Sequence, residues 1–215
     1  MCQDSAVTSL RTYGGVAGDE RRADRRSQLL DAGLELLAAD DGAQAFTVRG
    51  VCREAGLASR YFYESFADAG DLAAAVFDAA VTDLTTTTLT ALGEVGDQEV
   101  AEQARVGVDA IVGHILEDPR RGRLLFSPAL AALPAIAARR SASTRLFVGL
   151  LGAEAQARTP IEGGPSFDVA SEMLVGGLAQ AISAWLDGDV DVDRAEFVDS
   201  CAVLFLAAGE ALSRG

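Results

Sequence analysis

The chain has 215 residues, 49% of them hydrophobic and 23% charged, which is enough for a buried core in one moderate domain or two small ones. Its formal net charge of -14 argues against nucleic-acid binding by the surface as a whole, because phosphate contacts require Lys or Arg. Three widely spaced Cys and a single His exclude a disulfide framework, a CxxC-type metal site and a multi-His metal site.

Residues 1–20 are polar, rich in Gly and without periodicity, so they predict a disordered tail. They lack the basic start and the apolar stretch of a secretory signal, which predicts a cytoplasmic protein. An apolar run over 124–138 is only about 15 residues long and contains two Pro. We expect a buried helix there and no membrane partner.

The net charge is distributed unevenly along the chain. Between Arg21 and Phe66, seven Arg balance seven acidic residues, so the whole deficit lies outside this stretch. We therefore expect any anion-binding surface to lie in the N-terminal quarter.

The first two predicted helices lie within this balanced stretch. The first covers about 21–41, with Leu30, Leu34 and Leu37 on one stripe. The second is short, begins after Thr47 as its N-cap and ends at Gly56. The apolar face of the second helix consists of Val48, Val51, Cys52 and Ala55. Cys52 is therefore expected in the core and not as a redox sensor.

The third predicted helix lies in "LASRYFYESF", residues 57–66. Phe62 and Phe66 are four residues apart, share one side and are expected to point inward. Arg60 points away from Phe62, and Tyr61 and Tyr63 flank Phe62 at about 100° on either side. These outward side chains are therefore available to contact a binding partner.

A fourth helix is predicted from Asp68 to about residue 95, where Asp71 completes a variant of the capping box. Further helices are predicted over about 97–117, after Pro119, and over 129–157, 166–187 and 193–213. The Gly- and Pro-rich segment 159–165 predicts a loop. "DGDVDVD" (187–193) lacks the Gly and Glu of a calcium loop, and Asp193 is expected to cap the last helix. The fold class is all-α, with about nine helices.

Two short helices joined by a turn that contains Gly56, packed against a preceding helix, form a helix-turn-helix pattern. In such units the second helix enters the major groove of DNA. The stretch 21–72, with "TVRGVCREAGLASRYFYESFADAGDL", resembles the TetR (tetracycline repressor) family of transcriptional regulators. The resemblance implies a DNA-binding domain over 21–67, a connecting helix over 68–95, and a ligand-binding and dimerisation domain over 96–215.

The resemblance also implies a set of DNA-binding side chains. Arg60 is the expected base reader, because a guanidinium can bond O6 and N7 of guanine together. The others chiefly position the helix on phosphates. The implied DNA-binding residues are Arg21, Arg22, Arg25, Arg26, Thr47, Val48, Arg49, Ser59, Arg60, Tyr61 and Tyr63.

Three positions depart from the family pattern. Ala58 replaces the usual Ser at the turn, so that the N-cap falls to Ser59 or is lost. Ala69 and Gly70 stand where a basic residue is common. Glu64 either accepts a hydrogen bond from cytosine N4 or pairs with Arg60 one helical turn away. Weak or salt-sensitive DNA binding is expected.

Beyond residue 96 the family likeness implies a small hydrophobic ligand and a homodimer. His114 is expected in the core or in the pocket. The expected pocket residues are His114, Phe126, Leu130, Phe147, Leu151 and Met173. The expected dimer-interface residues are Gly177, Ala181, Ala184, Trp185, Leu204, Ala208 and Ala211, which alternate small and large apolar side chains.

The functional hypothesis is a homodimeric, ligand-responsive repressor that binds a palindromic double-stranded DNA operator, without catalytic residues, metal or cofactor. The alternative is an all-α enzyme or protein-binding module that retains the helix-turn-helix as a scaffold. A cluster of titratable groups in the C-terminal part is expected for that alternative, and the sequence contains only scattered acids and His114.

Overall fold

The structure is a computed structural model that describes residues 13–39, 42–96, 99–128, 130, 133–158 and 164–213. Within these ranges the chain is helical and has no strand, which confirms the predicted fold class. The described helices are α1 (Tyr13–Ala38), α2 (Gly42–Ala45, a single turn), α3 (Val48–Glu54), α4 (Ser59–Tyr63), α5 (Ala69–Val95), α6 (Val100–Glu117), α7 (Pro119–Phe126), α8 (Pro134–Arg158), α9 (Pro165–Leu186) and α10 (Arg194–Ser213).

The prediction of a disordered tail is wrong for residues 13–20, because α1 begins at Tyr13. Residues 1–12 lie outside the described residues. The sequence predicted a start at Arg21, since Gly14, Gly15 and Gly18 each cost about 1 kcal/mol relative to Ala in a helix. Extending an existing helix requires no new nucleation, so the N-terminal end of α1 can include residues that are poor helix formers.

Side-chain caps fix the starts of three helices as the sequence predicts. The Gly50 N–H donates to Thr47 Oγ1 at 3.0 Å at the start of α3. At α5, the Asp71 N–H donates to Asp68 Oδ1 at 2.9 Å, and the Ala67 N–H donates to Asp71 Oδ2 at 3.0 Å. Asp193 Oδ1 likewise accepts from the Glu196 N–H at 2.9 Å. These caps satisfy backbone donors that the helices leave open.

One hydrophobic core joins the N-terminal helices to α5, α7 and the start of α8. Phe62 is fully buried in it, and Cys52 is buried as predicted. Burying a side chain of this size contributes about 1.5–3 kcal/mol, so Phe62 and Phe66 hold α4 firmly. The largest fully buried side chains of this core are those of Leu29, Leu37, Val51, Phe62, Leu72, Phe77, Leu124 and Ile136.

A second core lies between α6, α9 and α10, where Val112, Ile182 and Phe197 are buried. Four of the five helices predicted beyond residue 96 agree with the structure to within a few residues, and the fifth, predicted over 129–157, begins only at Pro134. The apolar run 124–138, expected as one buried helix, is divided between α7 and α8. Pro134, as the first residue of α8, lacks the N–H that a continuous helix needs.

Among the described helices, α9 alone is long and apolar enough to cross a membrane by length and composition. A single helix of this kind is weak evidence for a membrane span. In this fold α9 packs against α7, α8 and α10, and Phe167 and Ile182 on it are buried.

Candidate nucleic-acid interface and ligand cavity

The turn between α3 and α4 is built around Gly56, whose φ of +65° lies in the left-handed region. The Leu57 N–H donates to the Cys52 carbonyl at 2.9 Å, and the Gly56 N–H donates to the Arg53 carbonyl at 3.3 Å. This pair of bonds is a Schellman motif, which ends α3 and reverses the chain into α4. Glycine adopts this conformation without a Cβ clash.

The short helix α4 presents one side to the core and the other to solvent, as predicted. Phe62 and Phe66 point inward and are buried. Ser59 and Arg60 are exposed, and Tyr63 is 61% exposed. An arginine and a tyrosine therefore stand on the open face of a helix that is anchored by two phenylalanines.

Tyr61 is half-buried between two guanidinium groups. The Arg25 and Arg60 guanidinium carbons lie 4.5 Å and 4.6 Å from the centre of its ring. Arg60 Nη2 also donates to Tyr61 Oη at 2.7 Å. Cation–π contacts of this kind stabilise by about 0.5–2 kcal/mol, so Tyr61 links the open face of α4 to α1.

The suggested pairing of Glu64 with Arg60 is wrong. Arg25 Nη2 lies 2.8 Å from Glu64 Oε2, and Arg22 donates to the Glu64 carbonyl oxygen. Packing of α1 against the end of α4 brings these side chains closer than the helical neighbour Arg60. Arg22 and Arg25, which the sequence predicts to bind DNA backbone, thus contact α4 and the residue that follows it.

The remaining predicted DNA-binding residues surround this unit. Arg26 lies over the Phe66 ring, 5.0 Å from its centre, yet stays exposed. Val48 is half-buried against the core, so it is less accessible than predicted. The predicted residues that are exposed are Arg21, Arg22, Arg26, Thr47, Arg49, Ser59, Arg60 and Tyr63. Ala58 supplies no side-chain cap to α4, and Ser59 does not replace it.

A cavity of about 740 Å³ lies among α5, α6, the end of α7, α8, α9 and α10. Of the predicted pocket residues, Phe126, Phe147 and Leu151 line it. Leu130 is instead buried in the core, and Met173 is 71% exposed on α9. Sequence periodicity missed the polar lining residues, which include Arg140, Gln103 and Ser171.

His114 is buried but lies outside the cavity lining, so its assignment to the pocket is wrong and its assignment to the core holds. Its Nδ1 is 3.3 Å from Thr87 Oγ1, and its Nε2 is 3.1 Å from Arg121 Nη1. Arginine can only donate, so Nε2 accepts and the ring proton resides on Nδ1. Burial, and secondarily the charge of Arg121, lowers the pKa of His114, which agrees with a neutral ring.

Arg120 on α7 connects the C-terminal part to α1. It binds Asp118 through Nε and Nη2, both at 2.9 Å, and its Nη1 reaches Asp31 at 3.2 Å and Glu35 at 3.1 Å. The hydrogen bonds from Arg120 hold the pKa of Asp118 below its ordinary value. A displacement of α7 would therefore act directly on α1.

The predicted dimer residues divide into two sets. Trp185 faces its own subunit, because its Nε1 donates to the Val192 carbonyl at 2.8 Å and its ring stacks on Phe197 at 5.1 Å. Ala181 packs on the same core. Gly177, Leu204 and Ala211 are exposed, while Ala184 and Ala208 are half-buried. Large exposed apolar side chains on α9 and α10 are Val169, Met173, Val203 and Leu204.

No protein-family model and no curated protein matches the sequence. Solved structures do match, at high probability. The matched structures define a class, namely proteins with the fold of TetR-family transcriptional regulators. The fatty acid degradation regulator FadR from Bacillus halodurans is 17% identical with a TM-score of 0.67, over 85% of this chain and 94% of that chain.

Two further neighbours have the same fold. A TetR-like transcriptional regulator from Rhodococcus sp. RHA1 is 19% identical with a TM-score of 0.66, over 85% of this chain and 96% of that one. A TetR-family transcription regulator from Marinobacter aquaeolei VT8 is 18% identical with a TM-score of 0.65, over 88% and 97% of the two chains. The likeness in fold therefore extends well beyond the helix-turn-helix to most of the chain.

Proposed function

We propose that this chain is a TetR-like transcriptional regulator that binds DNA through α3 and α4. The observation that carries the proposal is the orientation of α4 and the residues that follow it: Phe62 and Phe66 are buried while Arg60 and Tyr63 are exposed. Exposed basic and aromatic side chains on the second helix of a helix-turn-helix suit the major groove. The net negative charge lies outside residues 21–66, so this stretch carries no net charge that opposes phosphate binding.

In the proposed complex, Arg60 reads a guanine and Thr47 and Arg49 contact phosphates at the start of α3. Arg60 exchanges its bond to Tyr61 for the base, and the half-buried Tyr61 ring remains beneath it. A bidentate pair between arginine and guanine discriminates by about 1–3 kcal/mol against other bases. Phosphate contacts supply most of the remaining affinity.

The proposed regulator acts as a homodimer on a palindromic operator in the cytoplasm. Val203 and Leu204 on α10 and Met173 on α9 are each more than half exposed, and such apolar surface is characteristic of subunit contacts. The apolar character of α9 is explained in the same way, without a membrane. A twofold dimer presents two recognition helices to half-sites about 34 Å apart.

Repression is proposed to respond to a small molecule in the cavity. The cavity volume of about 740 Å³ falls within the range of about 300–1,000 Å³ for ligand sites. A ligand that favours a different position of α7 would move α1 through Arg120 and change the spacing of the two recognition helices. DNA affinity then falls because the two states bind DNA differently.

The test is DNA binding by the purified protein. Genomic fragments that the protein retains are sequenced, and affinity for the selected site is measured by fluorescence anisotropy. Arg60→Ala and Tyr63→Ala should each weaken binding about tenfold or more. The matched control is Arg139→Ala, an exposed arginine on α8 that pairs with Asp78 at 3.2 Å and should bind like wild type. Wild-type affinity in both α4 variants would contradict the assignment.

A further inference from the structure

Arg140 is the only charged side chain among the described residues that line the cavity. It lies on α8, one turn before Ser143 and Thr144 and two turns before Phe147 on the same wall. The rest of that wall is mostly apolar. A single permanent cation therefore faces a largely hydrophobic space.

The guanidinium is incompletely satisfied by its own chain. Arg140 Nη2 donates to the Ser127 carbonyl at 2.9 Å and to the Leu124 carbonyl at 3.4 Å. Arg140 Nε is buried and has no hydrogen-bond partner within the described part of the chain. In the same ranges no carboxylate forms an ion pair with Arg140, whereas Arg120 contacts three.

An unpaired cation in such a place is unfavourable, because burial disfavours the charged form. Burial lowers the pKa of Arg140, and no nearby acid offsets the effect. Ser143 and Thr144 do not compensate either, since both hydroxyls donate to the Arg140 carbonyl, at 2.9 Å and 3.0 Å. Among the described lining residues there is thus no anion, and the Arg140 guanidinium is the strongest hydrogen-bond donor.

A carboxylate fits this arrangement better than a neutral or cationic group. A guanidinium donates charge-assisted hydrogen bonds to a carboxylate, which also neutralises the cation. The apolar body of such a ligand would pack on Phe126, Phe147 and Leu151 across a volume of about 740 Å³. The head group and the body of the ligand are thereby both specified.

We propose that the cavity binds an amphipathic carboxylate, with Arg140 as the residue that holds its head group. The inference rests on the proposed function only for its regulatory meaning, because binding can be measured on the protein alone. Arg140 discriminates carboxylic acids from alcohols and amines of equal chain length. The lining of phenylalanine and leucine sets the affinity for the body.

The experiment compares three ligands of one chain length, decanoate, decanol and decyltrimethylammonium, by isothermal titration calorimetry on the full chain without DNA. Wild type should bind decanoate about tenfold or more tightly than decanol, since a charge-assisted hydrogen bond is a strong one. The cation should bind most weakly. Arg140→Met should remove the preference for the acid while it keeps the affinity for decanol within about threefold.

Two further variants serve as controls. Arg140→Lys keeps the charge and should retain part of the preference, and Arg139→Met removes an exposed neighbour and should behave as wild type. If Arg140→Met does not fold, the wild-type series and Arg140→Lys decide the matter. Equal affinity of wild type for decanoate and decanol, no binding of either, or a preference that survives in Arg140→Met would overturn the proposal.

The outcome is separable from that of the proposed function. If the protein binds decanoate selectively but retains no DNA, the proposed regulatory function is contradicted and the ligand assignment is supported. If the protein binds DNA specifically but does not bind decanoate, the regulatory function is supported and the ligand assignment is contradicted.

Discussion

Arg25 on α1 and Glu64 at the end of α4 form an ion pair, with 2.8 Å between Nη2 and Oε2. The same guanidinium lies over the Tyr61 ring. Arg25 therefore makes two contacts with the helix that is proposed to read DNA. We infer that Arg25 acts by positioning α4, and that its charge is largely matched within the protein.

This geometry predicts an unusual salt dependence for Arg25→Ala. The affinity for DNA should fall because α4 is less firmly held, but the slope of log affinity against log salt should change little. A residue that binds a phosphate directly changes this slope by about 0.9 when it is removed. Arg21→Ala, at an exposed position on the same helix, is expected to show that change.

Glu64→Ala provides the second arm of this test. It should weaken DNA binding as Arg25→Ala does, although it removes a negative charge near the proposed DNA surface. The double variant should be little worse than either single one. Tighter binding by Glu64→Ala would instead mean that the carboxylate simply repels DNA. A slope change of about one in Arg25→Ala would identify a direct phosphate contact.

The uncapped start of α4 predicts a stabilising substitution. Ala58 has φ -71° and ψ 144°, the extended conformation of an N-cap, yet carries no side-chain acceptor. Ala58→Ser should raise the free energy of unfolding by about 0.5–1 kcal/mol, and Thr47→Ala, which removes a formed cap, should lower it by about 1 kcal/mol. Urea denaturation measures both. No gain from Ala58→Ser would mean that the turn cannot place the hydroxyl on the α4 donors.

His114 predicts a pH dependence of stability. Burial lowers its pKa below the value of 6.5 in the unfolded chain; Arg121 adds to this, and Asp83, Glu117 and Asp118 oppose it. As the pH falls, the unfolded chain therefore binds this proton first. The stability from neutral His114 is complete above about pH 6.5 and is lost as the pH falls through the lower folded pKa.

The matched measurement is urea unfolding of wild type and His114→Gln at about pH 7.5 and about pH 5.5. The stability difference between wild type and variant should shrink or reverse at the lower pH, because Gln cannot titrate. A difference that is independent of pH would show that the imidazole keeps its ordinary pKa in the folded protein.

The exposed apolar face of α9 and α10 predicts the effect of a charge on assembly. Leu204→Glu should convert a dimer to a monomer in sedimentation equilibrium, because an unpaired carboxylate in an apolar contact is costly. Tyr63→Glu is the matched control, since Tyr63 is 61% exposed and Leu204 is 64% exposed, but Tyr63 lies on α4. Dimers that persist in Leu204→Glu and Met173→Glu would place the subunit contact elsewhere.

The sequence by itself determined the features that depend on local patterns. The caps at Thr47 and Asp68, the turn at Gly56 and the inward direction of Phe62 follow from backbone chemistry and helical periodicity. These interactions reach only a few residues along the chain. The sequence alone therefore locates α4 and the turn before it.

Only the tertiary structure decided which residues meet across helices. Periodicity shows that a side chain faces inward but not which element it meets. It therefore left Glu64 between cytosine and Arg60, although its ion-pair partner is Arg25, and it left His114 between the core and the pocket, although His114 lies in the core. Arg140, the one charged residue among the described lining residues, was missed for the same reason. Whether Arg140 has a partner depends on helices that are distant in sequence, and long-range packing alone brings them together.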